Sequence, residues 1–368
     1  MTKAAELAKM GEVLTNSQIG GRRNIIINGA MQVAQRGTSS TGKTGSGLYA
    51  VDRMALGIDS LGTWTVTQET LTSGSAYNTG FKKAFRIDCT TADASPASTD
   101  NIFFQYKIEG QDLNGFKKGT SEAEQYTLQF WVKSNKTGTG QVLLQDKDNS
   151  RNVGKTYTIS SANTWEHKIL TFPADTTGAF DNDNGKSLEL EWALDAGSNF
   201  TGGTLPATWT SSNNNQRSVN DFALGDSTDN DWAITGIQLE VGEQATPFEH
   251  RSYAEELALC QRYYEKKVAG AAYHMFGVGR AVAANRIDFK IDFVVSKRAE
   301  GATASFSTLY SYSADANAAA TSLSTSYIGK EGGLLSVVID SSGMSVNTFA
   351  TLLSNNDSTA FIAFESEL

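Results

Sequence analysis

The run Ser187-Leu188-Glu189-Leu190-Glu191-Trp192-Ala193-Leu194 decides the fold class. Successive side chains on a strand point to opposite faces, so Leu188, Leu190, Trp192 and Leu194 share one side and Glu189 and Glu191 the other. One apolar face and one wet face is the pattern of an antiparallel sheet packed on one side only. Tyr126, Leu128, Phe130 and Val132 repeat the pattern earlier in the chain. Ile287, Phe289, Ile291, Phe293 and Val295 repeat it later, against Asp288, Lys290 and Asp292. Segments of strand character also occur at 63–68, 83–89, 102–109, 141–145, 156–160, 166–172 and 232–241. Gly, Asn, Asp, Ser and Thr separate them, as turn chemistry requires. Asn24–Ile27 reads as a further buried strand, followed by the turn signal Asn28-Gly29. The expected class is mainly β, built as an antiparallel sandwich.

One helix interrupts this texture. Ser252 followed by Glu255 has the capping-box spacing, and Leu257, Cys260 and Tyr264 then fall at i, i+3 and i+7. That stripe predicts a connecting helix over 251–267 that packs between domains or between subunits. The chain divides accordingly into a sandwich at 22–250, the connecting helix, and a smaller β-domain at 268–368. Within the last, 311–326 reads as an Ala/Ser/Thr loop, and within the first, 196–230 reads as a long surface loop. Residues 1–21 are a short helix candidate and a Gly20-Gly21 hinge. The helix is too short to stand alone, so it is either a frayed terminus or a docking peptide that uses Leu7 and Leu14.

Composition narrows the function classes. Charged residues are 19% and the net charge is −9, and the basic pairs present are isolated from one another. Nucleic-acid binding needs clustered Lys and Arg and is therefore not expected. No stretch approaches the 18 or so apolar residues of a membrane helix. Residues 1–20 lack the basic start and apolar run of a secretory signal, which predicts synthesis in a reducing cytoplasm. Cys89 and Cys260 are far apart in sequence; a disulfide is open, and two buried thiols is the simpler reading.

No motif here makes an enzyme. Gly37–Thr44 spells the P-loop pattern, but no apolar strand precedes it and Gly45-Ser46-Gly47 follows where a helix must start. It reads as a flexible surface loop. His167, His250 and His274 have no metal-ligand spacing to each other or to a cysteine. Glu189 and Glu191 share a face, yet alternating acids are ordinary on a wet sheet. Asp181 and Asp183, in Asp181-Asn182-Asp183-Asn184-Gly185, have oxygen spacing that suits a structural calcium ion, but lack the twelve-residue loop with its final Glu. They serve equally as turn formers. Trp209, in the polar 196–230 segment, is the exposed aromatic that receptor binding would use. No catalytic residue and no cofactor is expected.

Several runs together resemble one family. They are Arg23–Gly37 (RNIIINGAMQVAQRG), Tyr49–Arg53 (YAVDR), Leu128–Ser134 (LQFWVKS) and the Gln-Leu-Glu-Val-Gly, Thr-Pro-Phe-Glu-His-Arg-Ser-Tyr and Leu-Cys-Gln-Arg-Tyr-Tyr runs within Gly236–Tyr264. In this order they look like the tail-fibre and fibre-like virion proteins of tailed bacteriophages, many of them marine. The resemblance spans about residues 15–266. It implies a jelly-roll, carbohydrate-binding-module-like sandwich, a homotrimer, and a place on the virion reached by lysis rather than secretion. It further implies contacts to other virion proteins through the N-terminus and to a host-surface glycan, without catalysis. A capsid decoration protein or head fibre, or a glycan depolymerase, are the other readings.

Overall fold

The computed structural model describes Lys3 and residues 23–368, so Leu7 and Leu14 lie outside the described residues. The chain is mainly β and forms two compact units, Met1–Tyr253 with Leu368, and Ala254–Glu367.

Among the described residues, eleven strands build the first unit: β1 (Ser39–Leu48), β2 (Ala55–Thr70), β3 (Lys83–Thr91), β4 (Asn101–Glu109), β5 (Tyr126–Ser134), β6 (Gly138–Asp146), β7 (Arg151–Ile159), β8 (Glu166–Phe172), β9 (Lys186–Ala196), β10 (Thr210–Ser211) and β11 (Asp231–Val241). Their hydrogen-bonded order is β10-β7-β6-β9-β4-β2-β3-β11-β5-β8, with β1 on β2. Strand β2 joins the two layers of this path. Ala55–Ser60 pair with β4, whereas Thr63–Thr70 pair with β3. Between the two halves, Ser60 and Gly62 take left-handed φ values of 53° and 62°. A Cβ on Gly62 would lie 2.5 Å from the Thr91 carbonyl oxygen, so only glycine allows this bend. The layers then face each other across one core. Phe104 of β4 meets Trp232 of β11 at 5.4 Å, and Phe130 of β5 meets Trp192 of β9 at 5.6 Å.

Asn24–Ile27 is buried but is not a strand. A single backbone bond, from Ile25 N to the Leu239 carbonyl at 3.1 Å, ties it to β11, and side chains supply the rest. Asn24 Nδ2 donates to the Ile237 carbonyl at 3.1 Å, and its Oδ1 accepts from Ile26 and Leu239 N–H groups at 3.0 and 3.2 Å. Tyr106 Oη accepts from Ile27 N at 2.7 Å. The site it docks on is a bulge: Gly236 has φ 63°, and the β11–β5 register slips between Thr235 and Gln238. The Asn28-Gly29 turn holds against the same place, since Ile237 N donates to the Gly29 carbonyl at 3.0 Å.

Other departures have similar physical causes. The stretch expected to be a P-loop-like surface loop is β1, an exposed strand whose irregular register is set by pairing with β2. The expected 196–230 surface loop carries the helix Ser198–Thr201 and β10, and buries Phe200, Trp209, Phe222 and Leu224.

The second unit contains the helix Tyr253–Gln261 from Ala254 on, then β12 (Tyr264–Val268), β13 (Met275–Ala283), β14 (Arg286–Asp292), β15 (Thr303–Ser307), β16 (Tyr310–Ser313), β17 (Ala318–Gly329), β18 (Gly332–Ile339), β19 (Phe349–Leu353) and β20 (Phe361–Glu365). Strands β13-β14-β18-β17-β16-β19 close a barrel, and β12-β20-β15 form a separate sheet. The alternation of 286–292 is realised: Ile287, Phe289 and Ile291 are core, and Lys290 and Asp292 are exposed. The 311–326 segment, expected to be a loop, supplies parts of β16 and β17. Its small residues hid strands that are specified by their neighbours.

The helix ends earlier than its stripe suggests. Tyr263 N donates to the Cys260 carbonyl at 2.9 Å, and Tyr264 pairs with Glu365 as the first residue of β12. Cys260 is fully buried, Leu257 half-buried, and Tyr264 buried on a strand rather than on the helix. Nearby, the fully buried Lys297 donates to Glu265 Oε2 and to the Gln261 carbonyl, both at 2.6 Å. Cys89 and Cys260 are both buried and form no disulfide with each other. Among the described residues, no helix is long and apolar enough to cross a membrane.

Candidate functional site

The residues singled out from the sequence are largely committed to holding the sandwich together. Glu189 and Glu191 lie on the outer side of β9, as alternation requires, but they are 3% and 0% exposed. The 197–226 segment covers Glu191, and Lys147 and Lys186 lie against Glu189. Arg217 reaches Glu191 with two bonds, Nε to Oε1 at 2.8 Å and Nη2 to Oε2 at 2.6 Å, and its guanidinium lies 4.3 Å from the Phe103 ring centroid. Gln105 Nε2 donates to Glu191 Oε2 at 2.8 Å. Burial works against the charge of Glu189, but Lys147 and Lys186 outweigh it and hold the carboxyl below its ordinary range. Both carboxylates are structural anchors, not a pair converging in an open cleft.

Trp209 is not exposed. It is 8% accessible, its Nε1 donates to the Pro173 carbonyl at 2.8 Å, and its ring packs against Tyr126 at 5.8 Å. A buried charge cluster fixes it. Lys118 Nζ lies 5.2 Å from the Trp209 ring centroid and pairs with Asp146 at 2.6 Å and Asp175 at 3.1 Å. Arg151 bridges Asp175 and the Trp209 carbonyl, at 2.8 and 3.1 Å. Asp181 and Asp183 are exposed turn residues. Asp183 Oδ1 accepts from Gly185 N at 2.8 Å, the Asx-turn bond expected of such a sequence. Among the described residues, no group of three or more His, Cys, Asp or Glu side chains is arranged to hold a metal ion.

A cleft of about 280 Å³ opens elsewhere on the first unit, between the end of β2 and the start of β8. Three segments far apart in sequence make it: Glu69–Ser75, Lys133 and Asn163–Trp165. Sheet order explains the meeting. Residues pointing outward from β2, β3, β11 and β5 bring Glu69, Arg86, Asp88, Asp231 and Lys133 to one face. Lys133 Nζ is 3.1 Å from Glu69 Oε1. Arg86 is 2.6 Å from Asp88, 3.2 Å from Asp231 and 3.9 Å from Glu69. Burial opposes the charge on Arg86, but these three carboxylates outweigh it and raise its pKa. Burial pushes the Asp231 carboxyl upward despite Arg86.

Beneath the cleft lies Trp165, 7% exposed and packed with Leu71 and Phe81. Trp165 is held by Ser75 Oγ, which donates to its carbonyl at 2.7 Å, and Lys133 Nζ lies 5.1 Å from its ring centroid. Gly74, at φ 95°, lets the backbone turn tightly beside the ring, 3.3 Å from Cδ1 for a built Cβ. Thr70, Thr72, Ser73, Ser75, Asn163 and Thr164 add hydroxyl and amide groups around it. Glu69 is the distinctive member: Oε1 is paired, whereas Oε2 is buried with no hydrogen-bond partner. The ammonium and the hydroxyls are a set that can hydrogen-bond a polyol, whereas Glu69 Oε2 and most of the Trp165 indole lie beneath the surface. Such a set leaves no trace as a sequence motif, because no two of its three segments are adjacent in the chain.

Next on the same sheet, His167 stacks on Trp131 at 5.0 Å and 23°, and shares a 3.1 Å hydrogen bond with Gln129. Burial holds the His167 imidazole below its ordinary range.

No family model matches the sequence, and no curated protein matches it. The chain is similar in structure to the enzymatically active domain of tailspike protein 4 of bacteriophage CBA120, with TM-score 0.30 and 13% identity over 59% of this chain. It spans about a fifth, 21%, of that tailspike chain. It is also similar to a putative sugar binding protein from Bacteroides thetaiotaomicron, with TM-score 0.31 and 14% identity over 60% of this chain and 100% of the other. A third is the family 11 carbohydrate-binding module of Clostridium thermocellum Lic26A-Cel5E, with TM-score 0.27 and 10% identity over 63% of this chain and 100% of that module.

Proposed function

We propose that the protein is a non-catalytic glycan-binding protein, and that it serves as a homotrimeric tail fibre of a tailed bacteriophage that attaches to a host-surface polysaccharide. The observation that carries glycan binding is the Glu69 cleft. A sugar ring has apolar C–H faces and a rim of hydroxyls. It needs an aromatic wall and a few convergent polar groups, in a space near the lower end of ligand-site volumes, about 300 Å³. The cleft supplies the Lys133 ammonium as donor and the hydroxyls of Thr70, Thr72 and Ser73, above the mostly buried Trp165. The virion assignment is supported by the resemblance at Arg23–Gly37, Tyr49–Arg53, Leu128–Ser134 and Gly236–Tyr264. The N-terminal docking role of Leu7 and Leu14 belongs to the same reading.

Glycan-array screening of the purified chain tests the binding. Hits are expected, and Lys133→Gln should weaken them by about tenfold, the loss of roughly one charged hydrogen bond. Thr72→Arg, which fills the rim, should abolish them. An array with no hits, or hits that survive Thr72→Arg, would remove the reading. Light scattering at a monomer mass would remove the trimer. A capsid decoration role is the second reading, and labelling the chain on intact particles distinguishes them: signal on the head instead of the tail favours decoration.

A further inference from the structure

One cluster in the first unit brings a primary amine and two carboxyls together away from water. Lys118 lies in the connection between β4 and β5, Asp146 is the last residue of β6, and Asp175 follows β8. The side chains of Lys118 and Asp146 are 0% exposed and that of Asp175 is 5% exposed. Lys118 Nζ is 2.6 Å from Asp146 Oδ2 and 3.1 Å from Asp175 Oδ2. The carbonyls of Thr177 and Gly178 accept from Nζ at 2.9 and 2.6 Å. The rings of Phe180 and Trp209 flank it, with centroids 5.1 and 5.2 Å away.

The two carboxyls are held differently. Asp175 has a cation of its own: Arg151 Nε and Nη2 donate to its two oxygens at 2.8 and 3.1 Å. Asp146 is held from the main chain. Its Oδ1 accepts from the N–H groups of Asp148 and Asn149, both at 3.0 Å. Asn149 Nδ2 donates to Oδ2 at 3.0 Å and lies 3.2 Å from Oδ1. Two main-chain donors on one oxygen stabilise the charge that develops there when a nucleophile adds to its carbon. The other oxygen, Oδ2, is the one that faces the amine. Tyr126 Oη adds a polar group to the cluster, buried with no hydrogen-bond partner. Burial, and then the charges of Asp175 and Asp146, raise the pKa of this phenol.

We propose that Lys118 and Asp146 condense into an intramolecular amide, a covalent staple across the sandwich. The Lys118 ammonium first passes a proton to Asp146 Oδ2. The freed electron pair on Nζ then adds to Asp146 Cγ, and the charge moves to Oδ1 under the Asp148 and Asn149 N–H groups. Asp175 takes a proton from Nζ and returns it to Oδ2. The Cγ–Oδ2 bond breaks, Oδ2 leaves as water, and Oδ1 becomes the amide carbonyl. Nothing is oxidised or reduced, and Asp175 ends as it began, paired with Arg151. The two charges that disappear are those of a buried ion pair, whose desolvation is costly. Fixed contact between the reacting groups replaces a bimolecular encounter. The amide closes the chain between positions 28 residues apart and ties the β4–β5 connection to β6, which restricts the unfolded chain as a disulfide does. The inference does not depend on glycan binding.

Mass spectrometry of the denatured full-length chain is the test. The wild-type chain should be lighter than its sequence mass by one water. Tryptic digestion should give a branched peptide that joins the Lys118 and Asp146 segments, with no cleavage after Lys118. Lys118→Arg and Asp146→Ala should each restore the sequence mass. Asp175→Asn removes the proton carrier and should slow the joining by about a hundredfold or more, read from the cross-linked fraction over time. Circular dichroism reports whether each variant folds; where one does not, the wild-type mass and the branched peptide decide alone. A folded wild-type chain that stays at its full sequence mass after prolonged incubation would overturn the proposal. So would a water loss that maps to any other pair of residues.

Discussion

Asp195 is a carboxylic acid kept where water cannot reach it. It sits near the end of β9, 2% exposed, and accepts from Gly225 N at 2.7 Å. Burial, reinforced by the neighbouring Asp221 and Asp226, lifts its pKa to about 7, although Lys136 pulls the other way. Burial also raises Asp221. A carboxyl whose pKa is higher folded than unfolded binds its proton more tightly in the native state. Stability should therefore fall as pH rises from about 4 to about 7 and level off above, by on the order of a few kcal/mol. Asp195→Asn mimics the protonated form, so it should raise the melting temperature at pH 8 and flatten the profile between pH 5 and 8. A thermal-shift series on both proteins checks this; an unchanged slope in the variant would refute it. Such residues also mark where the sequence stops being legible. Alternation correctly turned Leu188, Leu190, Trp192 and Leu194 inward, and Glu189 and Glu191 outward. It could not show that outward is covered, because the cover, Arg217, arrives 26 residues after Glu191. Trp209 was misjudged for the same reason: its burial rests on Lys118, Asp146, Arg151 and Asp175, which no local pattern ties to it.

At the scale of elements, the strands with large alternating side chains were readable and those made of small ones were not. Tyr126–Ser134 and Arg286–Asp292 announce themselves by what they bury. Strands β1 and β17 are Ser-, Thr-, Gly- and Ala-rich and exist because a neighbouring edge accepts them. Asn24–Ile27 fails in the opposite sense: it is apolar enough for a strand, but beyond one backbone bond from Ile25 the side chains of Asn24 and Tyr106 supply the pairing. This docked segment gives a sharp prediction. A Cβ on Gly29 would fall 2.1 Å from the Ile237 carbonyl oxygen. Gly29→Ala must therefore push the segment off the β11 bulge, losing the 3.0 Å bond from Ile237 N. Chemical denaturation should show a loss of at least about 2–3 kcal/mol, against roughly 1 kcal/mol or less for a glycine substitution without a clash. A loss under 1 kcal/mol would mean that the segment is not clamped as described.

Across the whole molecule, each unit has its own apolar core. Trp64, Phe104, Trp192 and Trp232 belong to one, and Ile287, Phe289, Leu335 and Phe364 to the other. Calorimetry should accordingly resolve two transitions. Phe289→Ala, at a position with no exposure, should cost about 3–5 kcal/mol and lower one transition while leaving the other in place. A single transition that shifts as a block would show that the units melt together. The β-rich character of both halves was visible in the sequence, whereas the closed barrel was not, because closure depends on strand order, which periodicity does not encode.

The two cysteines now acquire a use. Cys89 lies in the first unit and Cys260 in the second, each buried and outside any disulfide. Burial pushes the Cys89 thiol up to about 11, far from the thiolate that alkylating reagents attack. The native chain thus carries one concealed chemical clock in each half. The rate at which each thiol becomes modifiable times the opening of its own unit, without any label having been added.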